Sequence, residues 1–162
     1  MGFGNIRREI NLLPIDPDVE AAPTPHPWTL IRANADLLPL IAVGGGLGSL
    51  ARWGLGKAMP HAVGTFATGT LVLNLLGSLL LGILMALMLD VWSHTRYVRP
   101  FVGTGILGGF TTFSTFALDA RYSATSSFPA ATAYVLASVA GGLIAVLLGL
   151  IATRALIDRG RG

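Results

Sequence analysis

From Leu37 onward the chain alternates long stretches without charge and short polar connections. Leu37 to Ala51 is uncharged, and past Arg52 the apolar pattern continues to Lys57. Ala62 to Leu89 runs 28 residues without a charge, Pro100 to Leu118 runs 19, and Tyr122 to Thr153 runs 32. A helix crossing a membrane needs about 20 apolar residues at a rise of about 1.5 Å each. The pattern therefore predicts four such helices, near 37–58, 65–90, 99–122 and 129–154. Turn chemistry separates them: Met59, Pro60 and His61 after the first, Asp90 to Arg99 after the second, and Ser126, Ser127, Phe128 and Pro129 after the third.

The first 36 residues read differently. They hold five of the nine prolines and five of the eight acids, namely Glu9, Asp16, Asp18, Glu20 and Asp36. The prolines from Pro23 to Pro27 exclude a continuous helix there. The expected organisation is a polar, Pro-rich arm over 1–36, a membrane domain over 37–155 and a basic tail over 156–162. Ile6, Ile10 and Leu13, beside Arg7 and Arg8, offer at most a short surface helix. No apolar core follows that basic pair, so a secretory signal peptide is not read here.

Composition strengthens the membrane reading. Apolar residues make up 52% of the chain and charged residues 12%, with a mean hydropathy of +0.67. Soluble domains carry about 25% charged residues, so a soluble bundle would lack its polar faces. The absence of cysteine excludes disulfides, thiolate metal sites and a cysteine nucleophile. The 11 basic residues are scattered among apolar runs and form no patch, which argues against nucleic acid. With four spans, both termini and the 90–99 connection share a side bearing Arg32, Arg96, Arg99, Arg154, Arg159 and Arg161, against Lys57 and Arg121 opposite. That bias favours cytoplasmic termini.

No catalytic set is visible, and an enzyme is not expected. His26, His61 and His94 fall in the arm or the connections, and no pair of carboxylates lies within a span. Polar residues inside a membrane are costly and therefore informative. Three clusters stand out. Gly44, Gly48, Arg52 and Gly56 recur at a spacing of four and share one helix face, where small residues permit close helix approach. Asn74 sits mid-span in the second helix. Gly103, Gly105, Gly108 and Gly109 precede Thr111, Thr112, Ser114 and Thr115, with Phe113 and Phe116 interleaved. Paired glycines and β-branched threonines weaken a helix, and freed backbone groups at mid-membrane survive only when buried in protein or lining a wet cavity. A helix broken near 108–112 is expected, a device common at transport sites.

Gly44, Gly45, Gly48 and Arg52, then Gly69, Thr70, Asn74 and Gly77, then the string Gly108 to Phe116 (G-G-F-T-T-F-S-T-F) resemble the CrcB/Fluc fluoride channel family over residues 37–155. The resemblance implies an all-α membrane protein of four transmembrane helices, the third broken at mid-membrane. It implies an antiparallel, dual-topology homodimer in the bacterial inner membrane, surrounded by lipid and conducting fluoride out of the cytoplasm. By the same resemblance, fluoride pore residues are Asn74, Phe113 and Phe116, with Thr112, Ser114, Thr115, Tyr134 and Ser138 as further pore positions. Arg52 and Asp119 fall at the vestibule, and the carbonyls of Gly108 and Thr111 would hold a structural sodium ion at the dimer centre. Two departures stand out: Ala117, Leu118 and Asp119 replace the family's Ser-x-Glu, and Gly141 and Gly142 stand one turn beyond Ser138.

The residue chemistry suits such a channel. Fluoride is small and strongly hydrated, so dehydration needs many donors. Asn74 carries an amide donor, the hydroxyls carry O–H, and phenylalanine ring edges are partly positive. A small dual-topology drug/proton exporter is an alternative, but it needs a glutamate in the first span, which has no acid after Asp36. A non-transport scaffold subunit is the other alternative, and it leaves the Gly108–Thr115 run unexplained.

Overall fold

The computed structural model describes residues 34–92 and 95–161, together with 28, 29 and 32. Most of the expected arm, His26 and His94 lie outside the described residues. The chain divides into two units, Met1–Asn34 and Ala35–Gly162, and the long helices among the described residues belong to the second.

The described residues of that unit are all helical apart from short connections. α1 is Leu37–Ala58 and α2 is Thr68–Asp90. A π-wound segment, π1, covers Arg99–Leu107, and a single turn, α3, continues it over Gly108–Phe110. After an interruption come α4, Phe113–Ser126, and α5, Phe128–Arg161. Thus π1, α3 and α4 together form the third long helix, 28 residues from Arg99 to Ser126, and Thr111 and Thr112 break it midway.

Three of the four long helices are long and apolar enough to cross a membrane: Thr68–Asp90, Arg99–Ser126 and Phe128–Gly160. α1 has 22 residues, but three consecutive glycines, Arg52 and Lys57 dilute its apolar character. The outward surface is hydrophobic, with Leu136, Leu143, Ile144, Leu147, Leu148 and Ile151 of α5 all exposed. Only 6% of α5's most apolar window is buried. An apolar surface of that extent marks a membrane or protein interface rather than water. This is a multi-pass membrane protein.

Two helix pairs carry the packing, both through glycine. On α1, a Cβ at Gly44 would lie 2.6 Å from the Phe101 carbonyl oxygen, and one at Gly48 would collide with the Ile106 carbonyl. A Cβ at Gly109 would strike the Gly45 backbone in return. The expected glycine face of the first helix therefore exists and is used against the third helix of the same chain. Gly56, in the same register, faces open space. On α2, Gly82 meets the Val146 backbone of α5, and Gly149 of α5 meets Leu79 of α2. Missing side chains let backbones touch, which replaces the hydrophobic drive that lipid removes.

Boundaries differ from the sequence expectation where local chemistry intervenes. The 126–129 connection shrinks to Ser127 alone, because Ser127 caps α5: its Oγ accepts from the Ala130 N–H at 3.4 Å, and Pro129 occupies the second helical position. α5 then continues to Arg161, so most of the expected C-terminal tail is helical. The π winding of 99–107 was not read from sequence. There the Gly108 N–H reaches back to the Gly103 carbonyl, a five-residue span that side-chain-free positions accommodate. The α1–α2 connection turns at Gly64, the only non-negative φ among the described residues, at +82°. It is pinned to α4 by Ser123, whose buried Oγ donates to the Thr65 carbonyl at 3.0 Å.

Candidate functional site

The site grows from the break. The first half of the third helix ends where Thr111 N–H and Oγ1–H both donate to the Leu107 carbonyl, each at 3.0 Å. The next residue leaves the helix: Thr112 is extended at φ −145° and ψ 121°. Its N–H would otherwise complete the ladder to Gly108. Instead it donates to Asn74 Oδ1 at 3.0 Å, while Asn74 Nδ2 donates to the Thr112 carbonyl at 3.0 Å. One side-chain amide from α2 thus replaces the ladder bond lost at the Thr112 N–H and adds a second donor to the Thr112 carbonyl, which as the N-cap carbonyl also opens the ladder of α4. Those bonds also fix which end of the amide is oxygen, and they leave one Nδ2–H of Asn74 uncommitted.

Thr112 then restarts the helix. Its Oγ1 accepts from Thr115 N–H at 3.2 Å, an N-cap on α4. The same hydroxyl lies 3.0 Å from Thr115 Oγ1 and 3.3 Å from Ser114 Oγ. The hydroxyls of the T-T-F-S-T string are therefore partly spent on holding the break. Arg52 supplies the remaining brace, its guanidinium donating to the Thr111 carbonyl at 3.2 Å. Gly108 keeps a carbonyl whose usual donor, Thr112 N–H, has been diverted.

Cavities open on both sides of this junction. One of about 340 Å³ is lined by Asn74, Gly77, Ser78, Gly108, Thr111, Thr112, Phe113 and Phe116, among others. Another of about 320 Å³ is lined by Arg52, Lys57, His61, Thr70, Thr112 and Thr115 among others, and is markedly cationic. Thr112 belongs to both. Phe113 is 79% exposed, so the first cavity opens on a face of the chain that no described residue covers.

From the break an aromatic chain runs to α5. Phe113 and Phe116 have centroids 5.8 Å apart, Phe116 and Tyr134 5.5 Å, and Tyr134 meets Phe66 edge-on at 5.5 Å. Tyr134 is fully buried, yet neither its hydroxyl nor the buried Ser138 Oγ one turn on has a hydrogen-bond partner among the described residues. Buried donors without a partner at hydrogen-bond distance are costly, and Thr70 joins Ser138 close to the tyrosine. Asp119 sits nearby on α4, accepting from Thr70 Oγ1 at 2.6 Å and lying 3.3 Å from His61 Nε2. Among the described residues no three His, Asp or Glu side chains converge.

The structure thus gathers the positions singled out in sequence. Asn74, Phe113, Phe116 and Thr112 share one cavity, Tyr134 joins it through the ring of Phe116 with Ser138 one turn farther along α5, and Arg52 and Thr115 line the second. Asp119 borders both the cationic side and the tyrosine. Sequence reading missed His61, set aside as a loop residue. No spacing marks it: His61 lies in the connection after α1, its partner is 58 positions away, and only the fold brings them together.

Residues 39–150 match the family described as CrcB-like protein, Camphor Resistance (CrcB). Similar proteins include the "Fluoride-specific ion channel FluC 3" of Streptomyces avermitilis, 40% identical over 129 residues, covering 79% of this chain and 63% of that protein. The "Fluoride-specific ion channel FluC 1" of Streptomyces coelicolor is 39% identical over 135 residues, 83% of this chain and 86% of its own length. The "Fluoride-specific ion channel FluC 1" of Nitrobacter hamburgensis is 40% identical over 131 residues, 80% of this chain and 98% of its own. The broken third helix, its asparagine clamp and its paired phenylalanines lie inside the matched region, and the chain belongs to the CrcB-like family.

Proposed function

We propose that this chain forms a fluoride channel that lets cytoplasmic fluoride leave passively, down its electrochemical gradient, across the bacterial inner membrane. The observation that carries the reading is the pair of buried, unpartnered hydroxyls of Tyr134 and, one turn along the same helix, Ser138, with the Tyr134 ring in contact with Phe116 and through it with Phe113. Donors without acceptors in an apolar track await an anion. Its similarity to proteins named as fluoride-specific ion channels agrees with that chemistry.

The steps follow from the geometry. The cavity holding Arg52, Lys57 and His61 concentrates anions by its charge. Entry beyond Thr112 requires shedding water, offset by the free Nδ2–H of Asn74, the N-terminal end of α4 and the Tyr134 and Ser138 hydroxyls. The ring edges of Phe113 and Phe116 offer positive potential too weak to trap the ion. A narrow path of this kind disfavours chloride, which is larger and loses less by staying hydrated. No covalent chemistry is involved.

The working unit is an antiparallel, dual-topology homodimer with four spans per copy, α1 included. The supporting fact is the exposure of Phe113 and of Gly108 beside an interrupted backbone. Irregular backbone is not tolerated against lipid, so this face needs a protein partner, and a second copy supplies a matching one. A structural sodium ion fits the break: the Gly108 carbonyl is freed, and the Thr111 carbonyl keeps one lone pair beyond its Arg52 bond. These two carbonyls from each copy would brace the dimer centre; a hard cation suits oxygen ligands.

Purified protein in liposomes tests the channel directly. Fluoride efflux should be fast and chloride efflux undetectable under the same gradient; comparable chloride efflux overturns the reading. In the same vesicles a cysteine at Thr95, an exposed position, should label from both faces, and labelling from one face alone removes dual topology. Replacing sodium with a large organic cation should lower dimer melting and flux together; no change in either rejects the sodium site.

A further inference from the structure

We infer that His61 is a charge-compensating residue of the pathway: by pairing with Asp119 it sets whether that one carboxylate presents its negative charge at the mouth beside Thr70 or is neutralised there. This rests on the proposal above that fluoride passes along the face bearing Asp119, Tyr134 and Ser138.

The geometry is specific. Asp119 places one carboxylate oxygen 2.6 Å from the Thr70 hydroxyl, which is almost wholly buried, and the other 3.3 Å from His61 Nε2. The aspartate side chain is 14% exposed and the histidine side chain 25%. A carboxylate this enclosed, beside the two orphan hydroxyls, stands where an anion must pass. Like charges at close range repel strongly where water is partly excluded. An anion channel with such a group at its entrance needs a cation against it.

His61 is held in position to be that cation. Its connection is fastened at both levels to α4: Ser123 donates to the Thr65 carbonyl, and Gly64 packs where a side chain would lie 2.7 Å from Ser126 Oγ. Thr65 Oγ1 also donates to the Ala62 carbonyl at 2.7 Å. The other charged or titratable groups facing the pair are Arg52 and Lys57 of α1, which line the same cavity, and Tyr134 of α5. They are common to every variant proposed below. Histidine is the side chain whose ordinary titration falls between about pH 5 and 8. Protonated, it neutralises Asp119; neutral, it still donates its N–H but leaves the carboxylate charge uncompensated.

Fluoride flux through the parent should therefore rise about tenfold from about pH 8 to about pH 5.5, the size expected for partly screened removal of one charge at the mouth. Flux is measured in liposomes at each pH with protein-free vesicles subtracted. His61→Gln keeps a hydrogen-bond donor without the charge and should stay at the low level at every pH. His61→Lys carries the charge throughout and should stay high at every pH. A merely structural role would leave the parent's pH profile intact in His61→Gln. That result, or a parent with no pH dependence, overturns the inference. A parent that conducts fluoride well but without pH dependence sinks only this device, whereas a parent that conducts none sinks the channel reading itself.

Discussion

The glycine contacts and the helix break both bring backbone against backbone, but they use opposite means. At Gly48 against Ile106, and at Gly82 against Val146, every helix keeps its own ladder and the contact depends on having no side chain. At Thr111 and Thr112 the ladder is given up, and side chains from two other places, Arg52 and Asn74, take over its bonds. The first kind of contact is sensitive to volume and indifferent to chemistry. The second is sensitive to chemistry and tolerant of volume. The molecule thus separates a sealed scaffold, α1 with π1 and α2 with α5, from a chemically addressed junction between them.

The largest effect should come from filling a sealed contact. Gly82→Val would drive a branched side chain into the Val146 carbonyl, with backbone and no flexible side chain to yield. Overpacking costs about 1–3 kcal/mol where neighbours can shift, and here two helices would have to part. Loss of the folded species on size-exclusion chromatography is expected. Gly46→Ala and Gly54→Ala, which meet open space, should leave the elution profile unchanged. If Gly82→Val elutes and melts like the parent, the distinction between the two regions fails on its scaffold side.

At the junction the expected loss is of function with folding retained. Phe113→Ile and Phe116→Ile preserve apolar bulk and remove the ring edge. Phe113 is largely exposed, so its replacement leaves packing within the chain nearly untouched. Fluoride flux should fall by orders of magnitude in either variant. The same change at Phe101, outside the cavities around the break, should matter far less. Parent-level flux in both variants would show that ring edges do not coordinate the ion.

The scaffold was the more legible region. Charge-free runs set the four helices to within four residues at every end but the last, where α5 continues seven residues past the expected 154, and the spacing of Gly44, Gly48 and Arg52 gave the packed face of α1 correctly. What spacing does not carry is the partner: the same face would serve a second copy as well as a neighbouring helix. At the break, the glycine and hydroxyl run located the interruption, but the structure moves it to Thr111 and Thr112 and keeps Gly108–Phe110 helical. Glycine weakens a helix without ending it. Ending it needs competing hydrogen bonds, and those come from Asn74 and Arg52, 38 and 59 positions away. His61 was illegible for the same reason.

The smallest expected effect separates the two devices that hold the break. Thr112 is fixed twice: through its backbone by Asn74, and through its hydroxyl as the cap of α4. Thr112→Ala removes the cap, worth about 1 kcal/mol, with the hydroxyl contacts to Ser114 and Thr115, and leaves the backbone clamp in place. Thr112→Ser keeps the cap and should behave as the parent. Asn74→Ala removes both amide bonds and leaves the buried Thr112 N–H unpaired, at about 1–3 kcal/mol, while the Thr112 carbonyl keeps only the first ladder bond of α4. If the backbone clamp sets the interruption, Thr112→Ala should lower dimer melting slightly and still conduct, while Asn74→Ala should melt much lower and lose flux. The reverse order, with Thr112→Ala the more damaging, would mean that the cap makes the break and that Asn74 follows a geometry already imposed by the threonine.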